Sequence, residues 1–179
     1  MTPAVFLADV VHPNMVATFD KADDMRAIVN AVLTLDALVG MIHAHARMAG
    51  QTEIAAFKDD DAYREALAGI SPSYRLLRDT AASLKHGELT RSRKGLARLL
   101  REPEAIEAEV NQLGFFECGD EIGGDVILIR YNHNGSPGLV RAGRVVTDTY
   151  RMLRRIVDGE AARTDENDGG TFAIMKGPP

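Results

Sequence analysis

In DKADDMRAIVNAVLTLDALVGMIHAHARMAG (residues 20–50), Met25, Ile28, Val32, Leu35, Val39 and Ile42 recur at alternating spacings of three and four. That period puts them on one face of an α-helix, and Ala46 and Ala49 continue the stripe. Asp20, Asp23 and Asp24 lie in the first turns and Arg47 in the last, as the two ends of the helix dipole favour. Gly50 is a natural stop because it tolerates a left-handed backbone. The stretch predicts a helix over 20–49 whose apolar face needs other helices to cover it.

Working outward, a short helix is predicted over 59–68, with an acidic KDDDA start and Gly69 as its stop. A third helix begins at SPSYRLL, where Ser71 suits the N-cap and Pro72 the first helical position. Ile70, Tyr74, Leu77, Ala81 and Leu84 form its apolar stripe, and Gly87 closes it. RSRKGLARLLREPEAIEAEVNQLG (91–114) has helical composition, interrupted by Gly95 and Pro103. DVILIRYNHNGSPGLVRAG (125–143) predicts a β-hairpin, two apolar runs about an Asn134-Gly135 turn. VTDTYRMLRRIVDG returns to helix, with Thr147 as N-cap and Tyr150, Leu153, Ile156 and Val157 facing inward. The expected fold is mainly α: a small up-and-down helical bundle with a β-hairpin inserted before the last helix. It forms one domain over 1–159, and a loose tail rich in Asp, Asn, Gly and Pro follows over 160–179.

At 179 residues, 45% hydrophobic and 26% charged, the composition is that of a soluble globular domain. The net charge of −5 offers no general field for nucleic acid, so any such site has to be a local basic patch. A single cysteine, Cys118, excludes an internal disulfide and a four-cysteine zinc site. MTPAVFLADVVHP has no Lys or Arg before its apolar run and makes a poor leader. AIVNAVLTLDALVGMI is interrupted by Asn30 and Asp36, short of the roughly 20 apolar residues of a membrane span. A cytoplasmic protein without membrane contact is expected.

The chemistry-bearing stretch is RLLRDTAASLKHGELTR (75–91). Helical spacing aligns Arg75, Asp79, Ser83 and His86; Arg75 and Asp79 can pair, whereas Asp79 and His86 stand about 10 Å apart. The small residues Ala81, Ala82 and Ser83 would let a ligand or another helix approach. Lys85 and His86 also fit the bland reading, cations on the negative end of a helix. His43 and His45 point about 200° apart and cannot share a metal. Asp36, in the middle of the apolar helix, is either a buried paired carboxylate or a solvated rim residue. Arg91, Arg93, Lys94 and Arg98, with Arg101, could grip phosphates or be neutralised by Glu102, Glu104, Glu107 and Glu109. GDEIGG (119–124) lacks the Lys-Ser/Thr ending of a phosphate loop.

Within LRDTAASLKHGELTR, Asp79, Ala81, Lys85 and His86 form an Asp-x-Ala-x-x-x-Lys-His pattern. It resembles that of uncharacterised bacterial helical proteins of the HEPN superfamily, and the element order extends the likeness to about 20–158. The resemblance implies a helical bundle that often dimerises. Many such proteins are metal-independent ribonucleases with an Arg and a His a few residues apart. It would make His86 the general acid/base and Arg78 or Arg75 the phosphate ligand. Here seven residues separate Arg78 from His86, ten separate Arg75 from it, and Asp79 follows Arg78 directly. The resulting expectation is a helical protein without a complete catalytic set, cofactor or metal. It would act through a protein or RNA partner, as a homodimer. A metal-independent ribonuclease is the alternative, and a metal joining Asp36, His43 or His86 across helices is a third reading.

Overall fold

The computed structural model describes residues 1–21, 23–89, 96–110 and 124–159. The apolar stripe builds helix α3 (Met25–Ala49), with Ile28, Val32, Leu35 and Val39 almost wholly buried. Its start lies five residues later than predicted. The Asp24 carboxylate caps it by accepting the N–H groups of Ala27 (3.2 Å) and Arg26 (2.9 Å). The bond from Ala27, with further help from Arg26, holds the Asp24 carboxyl below the usual range. Gly50 ends the helix at φ +67°. The whole of α3 has the length and apolarity of a membrane span, although the shorter stretch 27–42 reads as too interrupted; 56% of its most apolar window is buried inside the bundle.

Asp20 belongs to an earlier element. Helices α1 (Pro3–Phe6) and α2 (His12–Asp20) join through a π-helical turn, Leu7–Val11, into one rod. Pro3, Leu7, Val11, Met15 and Thr18 form its buried stripe. Pro13 masks this helix in the sequence, since proline lacks the N–H and crowds the preceding turn. The widened π turn directly before it is a known way to absorb such an irregularity.

After the single turn α4 (Thr52–Ala55), α5 (Asp60–Ile70) and α6 (Pro72–His86) are separated by Ser71 alone. Gly69 does not stop α5. Ser71 caps α6 as predicted, its Oγ accepting the Tyr74 N–H at 3.1 Å. The segment 91–114 requires a correction: 96–101 is not helical, Pro103–Ala105 forms one 3-10 turn, and Ile106–Val110 is strand β1. β1 pairs antiparallel with β2 (Asp125–His133), which pairs antiparallel with β3 (Ser136–Arg141), so the expected hairpin is part of a three-stranded sheet. His133 opposes Ser136 across Asn134 (φ +53°) and Gly135 (φ +86°), the two positive φ angles that a type I′ turn demands. Helix α7 (Ala142–Val157) follows β3 without a linker, five residues ahead of the predicted cap. Thr147 lies inside it, its hydroxyl donating to the Gly143 carbonyl at 2.8 Å.

Helix α3 occupies the centre, touching α2, α5, α6 and α7, while the sheet leans on α7 through β2 and β3. Ile106, Ile127, Ile129 and Val140 carry the sheet's contribution into the same core as Leu35, Leu77 and Leu153.

Candidate functional site

Helix α6 is amphipathic, yet several of its polar residues face inward. Asp79 is fully buried. Its carboxylate accepts the Leu99 N–H at 2.7 Å and guanidinium N–H groups of Arg98 and Arg78 at 3.2 Å each. Arg78, 2% exposed, donates through Nη1 to Glu65 Oε2 at 2.7 Å. The other Glu65 oxygen accepts the Leu96 N–H. Two carboxylates and two guanidiniums on α5, α6 and the 96–99 segment thus form one compact cluster. That segment has no helix or strand of its own, and the two side-chain carboxylates take up its backbone N–H groups.

A second cluster joins α3, α5 and α6. Asp36, 5% exposed, accepts from Arg64 and from Lys85 Nζ (2.6 Å). Arg64 Nε reaches Asp60 at 3.3 Å. Burial alone would lower the Arg64 pKa, but Asp36 with Tyr74 and Asp60 overcomes it, and the group is shifted upward. Gly40 leaves room for the guanidinium, since a Cβ there would stand 3.1 Å from Arg64 Nη2 and press it aside by a few tenths of an ångström. Both clusters balance two cations against two anions, the condition under which burying charge is tolerable. Tyr74 lies where both fields are felt. Burial drives its pKa up, with Arg64, Asp36 and Arg78 acting on it. The Tyr74 hydroxyl oxygen is buried and has no hydrogen-bond partner among the described residues.

The residues expected to act together are therefore dispersed. Arg75 turns to the Ala97 carbonyl at 2.5 Å instead of to Asp79. Ser83 is buried and donates to the Thr80 carbonyl at 2.8 Å. His86 is exposed at the end of α6. It lies eight residues from Arg78, about 12 Å along the axis. Arg98 points into the Asp79 cluster; Arg91, Arg93 and Lys94, like Cys118 and the tail over 160–179, lie outside the described residues.

Asp36 resolves as the buried, paired carboxylate. His43 is buried too, with Nε2 3.2 Å from the Phe57 carbonyl and its ring stacked on Tyr63. A carbonyl only accepts, so Nε2 carries the proton. Among the described residues no three His, Cys, Asp or Glu side chains group as metal ligands. A shallow groove of about 540 Å³ runs beside the second cluster, lined by residues that include His43, Arg47, Met48 and Asp59.

Two features escape the sequence reading. The partners Arg64 and Glu65 sit on the short α5, 28 residues from Asp36 and 13 from Arg78, respectively. The second is the outer face of α7, where Arg144, Arg151 and Arg154 are 51%, 67% and 62% exposed. Their signal was available as a helical period of arginines opposite the apolar stripe. No protein family, curated protein or solved structure matches the chain.

Proposed function

We propose that this chain is a HEPN-like helical protein that acts by binding a protein or nucleic-acid partner and has no complete catalytic set. One observation carries the reading: Arg78 and Asp79, the charged candidates beside His86 on α6, are spent inside the fold, while His86 stands exposed about 12 Å away along the axis. Arg78 is buried between Glu65 and Asp79, and Lys85 is held on Asp36. A guanidinium so placed has its donors taken by carboxylates rather than offered to a phosphate, and a general acid/base works only within hydrogen-bond reach of the proton it moves. The ribonuclease alternative requires His86 to meet a phosphate-binding cation from another segment or another chain.

Incubating the purified protein with mixed RNA, beside His86→Ala, separates the two. Intact RNA with both proteins is expected. Cleavage by the wild type and not by His86→Ala would establish the enzyme.

Self-association finds support in the exposed Val5, Val16 and Phe19 on the N-terminal rod, since apolar side chains gathered on one element favour contact with another protein. Light scattering is expected to give twice the chain mass, with Phe19→Asp returning it toward the monomer. A wild-type monomer would remove the homodimer from the reading.

A further inference from the structure

The α7 helix packs one face into the core through Val145, Val146, Thr149, Met152 and Leu153, and turns the opposite face to solvent. Between 141 and 158 the chain holds Arg141, Arg144, Arg151, Arg154 and Arg155 against Asp148 and Asp158 alone. This cationic excess stands on a chain whose net charge is −5, so charge is segregated onto one helix. Arg144 and Arg151 lie seven residues apart, about 10 Å along the axis and 20° apart around it; Arg154 adds one more turn. Their acidic neighbours stand at the outer limit of ion pairing: Arg144 to Asp148 at 4.0 Å, Arg151 to Asp148 at 3.8 Å, Arg154 to Asp158 at 3.6 Å. Exposed pairs of this kind contribute little and exchange readily for a better anion.

We infer that the arginine face of α7 binds the phosphodiester backbone of nucleic acid without reading its sequence. This rests on the partner-binding reading and names the partner and the surface. Guanidinium forks match phosphate oxygens in pairs, and the three spread over about 15 Å of axis and about 80° of the helix's circumference, a strip broad enough to meet successive phosphates. The helix's one aromatic, Tyr150, is 8% exposed and bonded to His12, so the face offers no ring for stacking on bases. Recognition would therefore be electrostatic and steeply dependent on salt. Asp148 lies between two of the arginines and opposes that attraction.

Fluorescence anisotropy of the full chain with labelled duplex DNA and labelled single-stranded RNA tests this, with phosphatidylserine vesicles as a third arm. Binding to a nucleic acid at low salt is expected at roughly micromolar Kd or tighter, since sequence-independent values of about 10⁻⁴–10⁻⁶ M at physiological salt tighten as salt falls. The two nucleic-acid arms tell which backbone is preferred. Replacing Arg144, Arg151 and Arg154 together by Gln should weaken binding roughly tenfold or more and cut the salt slope by about three. Asp148→Asn should tighten it. Circular dichroism of both variants should match the wild type, because the three arginines are exposed and the asparagine side-chain oxygen in Asp148→Asn can still accept the Ser73 hydroxyl, which donates to Asp148 at 3.3 Å. Three results would each overturn the inference: no nucleic-acid binding at low salt, unchanged binding by the triple variant, or binding to vesicles alone. His86-dependent cleavage of the RNA in the same samples would instead overturn the partner-binding reading and leave the arginine face standing.

Discussion

Helices α6 and α7 are nearly the same length, are amphipathic and both carry arginines, two in α6 and four in α7, yet they use charge in opposite ways. In α6, Arg78 and Asp79 are turned inward because α5 supplies Glu65 and the 96–99 segment supplies Arg98 and the Leu99 N–H. In α7, Arg144, Arg151 and Arg154 face water beside acids 3.6–4.0 Å away. The difference lies in what the neighbouring elements offer, not in the helices' own composition. It is also a difference in energy. Removing one partner from a buried cluster strands a desolvated charge, whereas an exposed pair at that separation is worth little.

The comparison breaks most easily at Asp79. Asp79→Ala should cost about 3–5 kcal/mol in denaturant unfolding, since it takes a buried carboxylate from Arg78, Arg98 and the Leu99 N–H at once and leaves Arg78 with Glu65 alone. Next comes alkaline pH. Burial pushes Tyr63 from 10.0 up to about 12, and the Tyr74 pKa is raised as well. A raised folded pKa means the unfolded chain loses its proton first. Stability is then complete below pH 10 and falls as pH rises from there toward about 12. Tyr63→Phe should flatten part of that fall in denaturant unfolding followed across this range. Lys85→Ala should cost under about 1 kcal/mol, because the ammonium is 41% exposed and Arg64 stays on Asp36. Arg151→Gln on α7 should change stability by no more than about 0.5 kcal/mol, as ordinary surface replacements do. A loss there matching that at Asp79 would erase the contrast.

Much of the helical frame was legible in the residues. The stripe of α3, the Ser71-Pro72 start of α6 and the Asn134-Gly135 turn each carry a local physical signal, and each folds accordingly. Strand β1 was not legible. Glu107, Ala108 and Glu109 favour helix taken alone, and only pairing with Leu128, Ile127 and Val126 makes them a strand. The N-terminal rod was hidden by Pro13, and the beginning of α7 by a Thr147 that suits a cap but bonds back to Gly143. The ion clusters were legible only in halves. Asp36 announced itself as a charge in an apolar helix, but its partners Arg64 and Lys85 lie 28 and 49 residues away. No spacing rule connects them. Likewise, Arg78 and Asp79 looked like site residues because charge in a helix signals function or burial alike, and only Glu65, Arg98 and the Leu99 N–H decide for burial.

The most direct measurement is a double-mutant cycle on Arg78→Ala, Asp79→Ala and the combined variant, read by denaturant unfolding. If these residues hold the fold, each single change costs about 3 kcal/mol or more. The double change then costs less than their sum by about 0.5–3 kcal/mol, because neither charge is left stranded by the loss of the other. Single variants that unfold like the wild type, with additive effects, would contradict the account and return Arg78 and Asp79 to the candidates for catalysis.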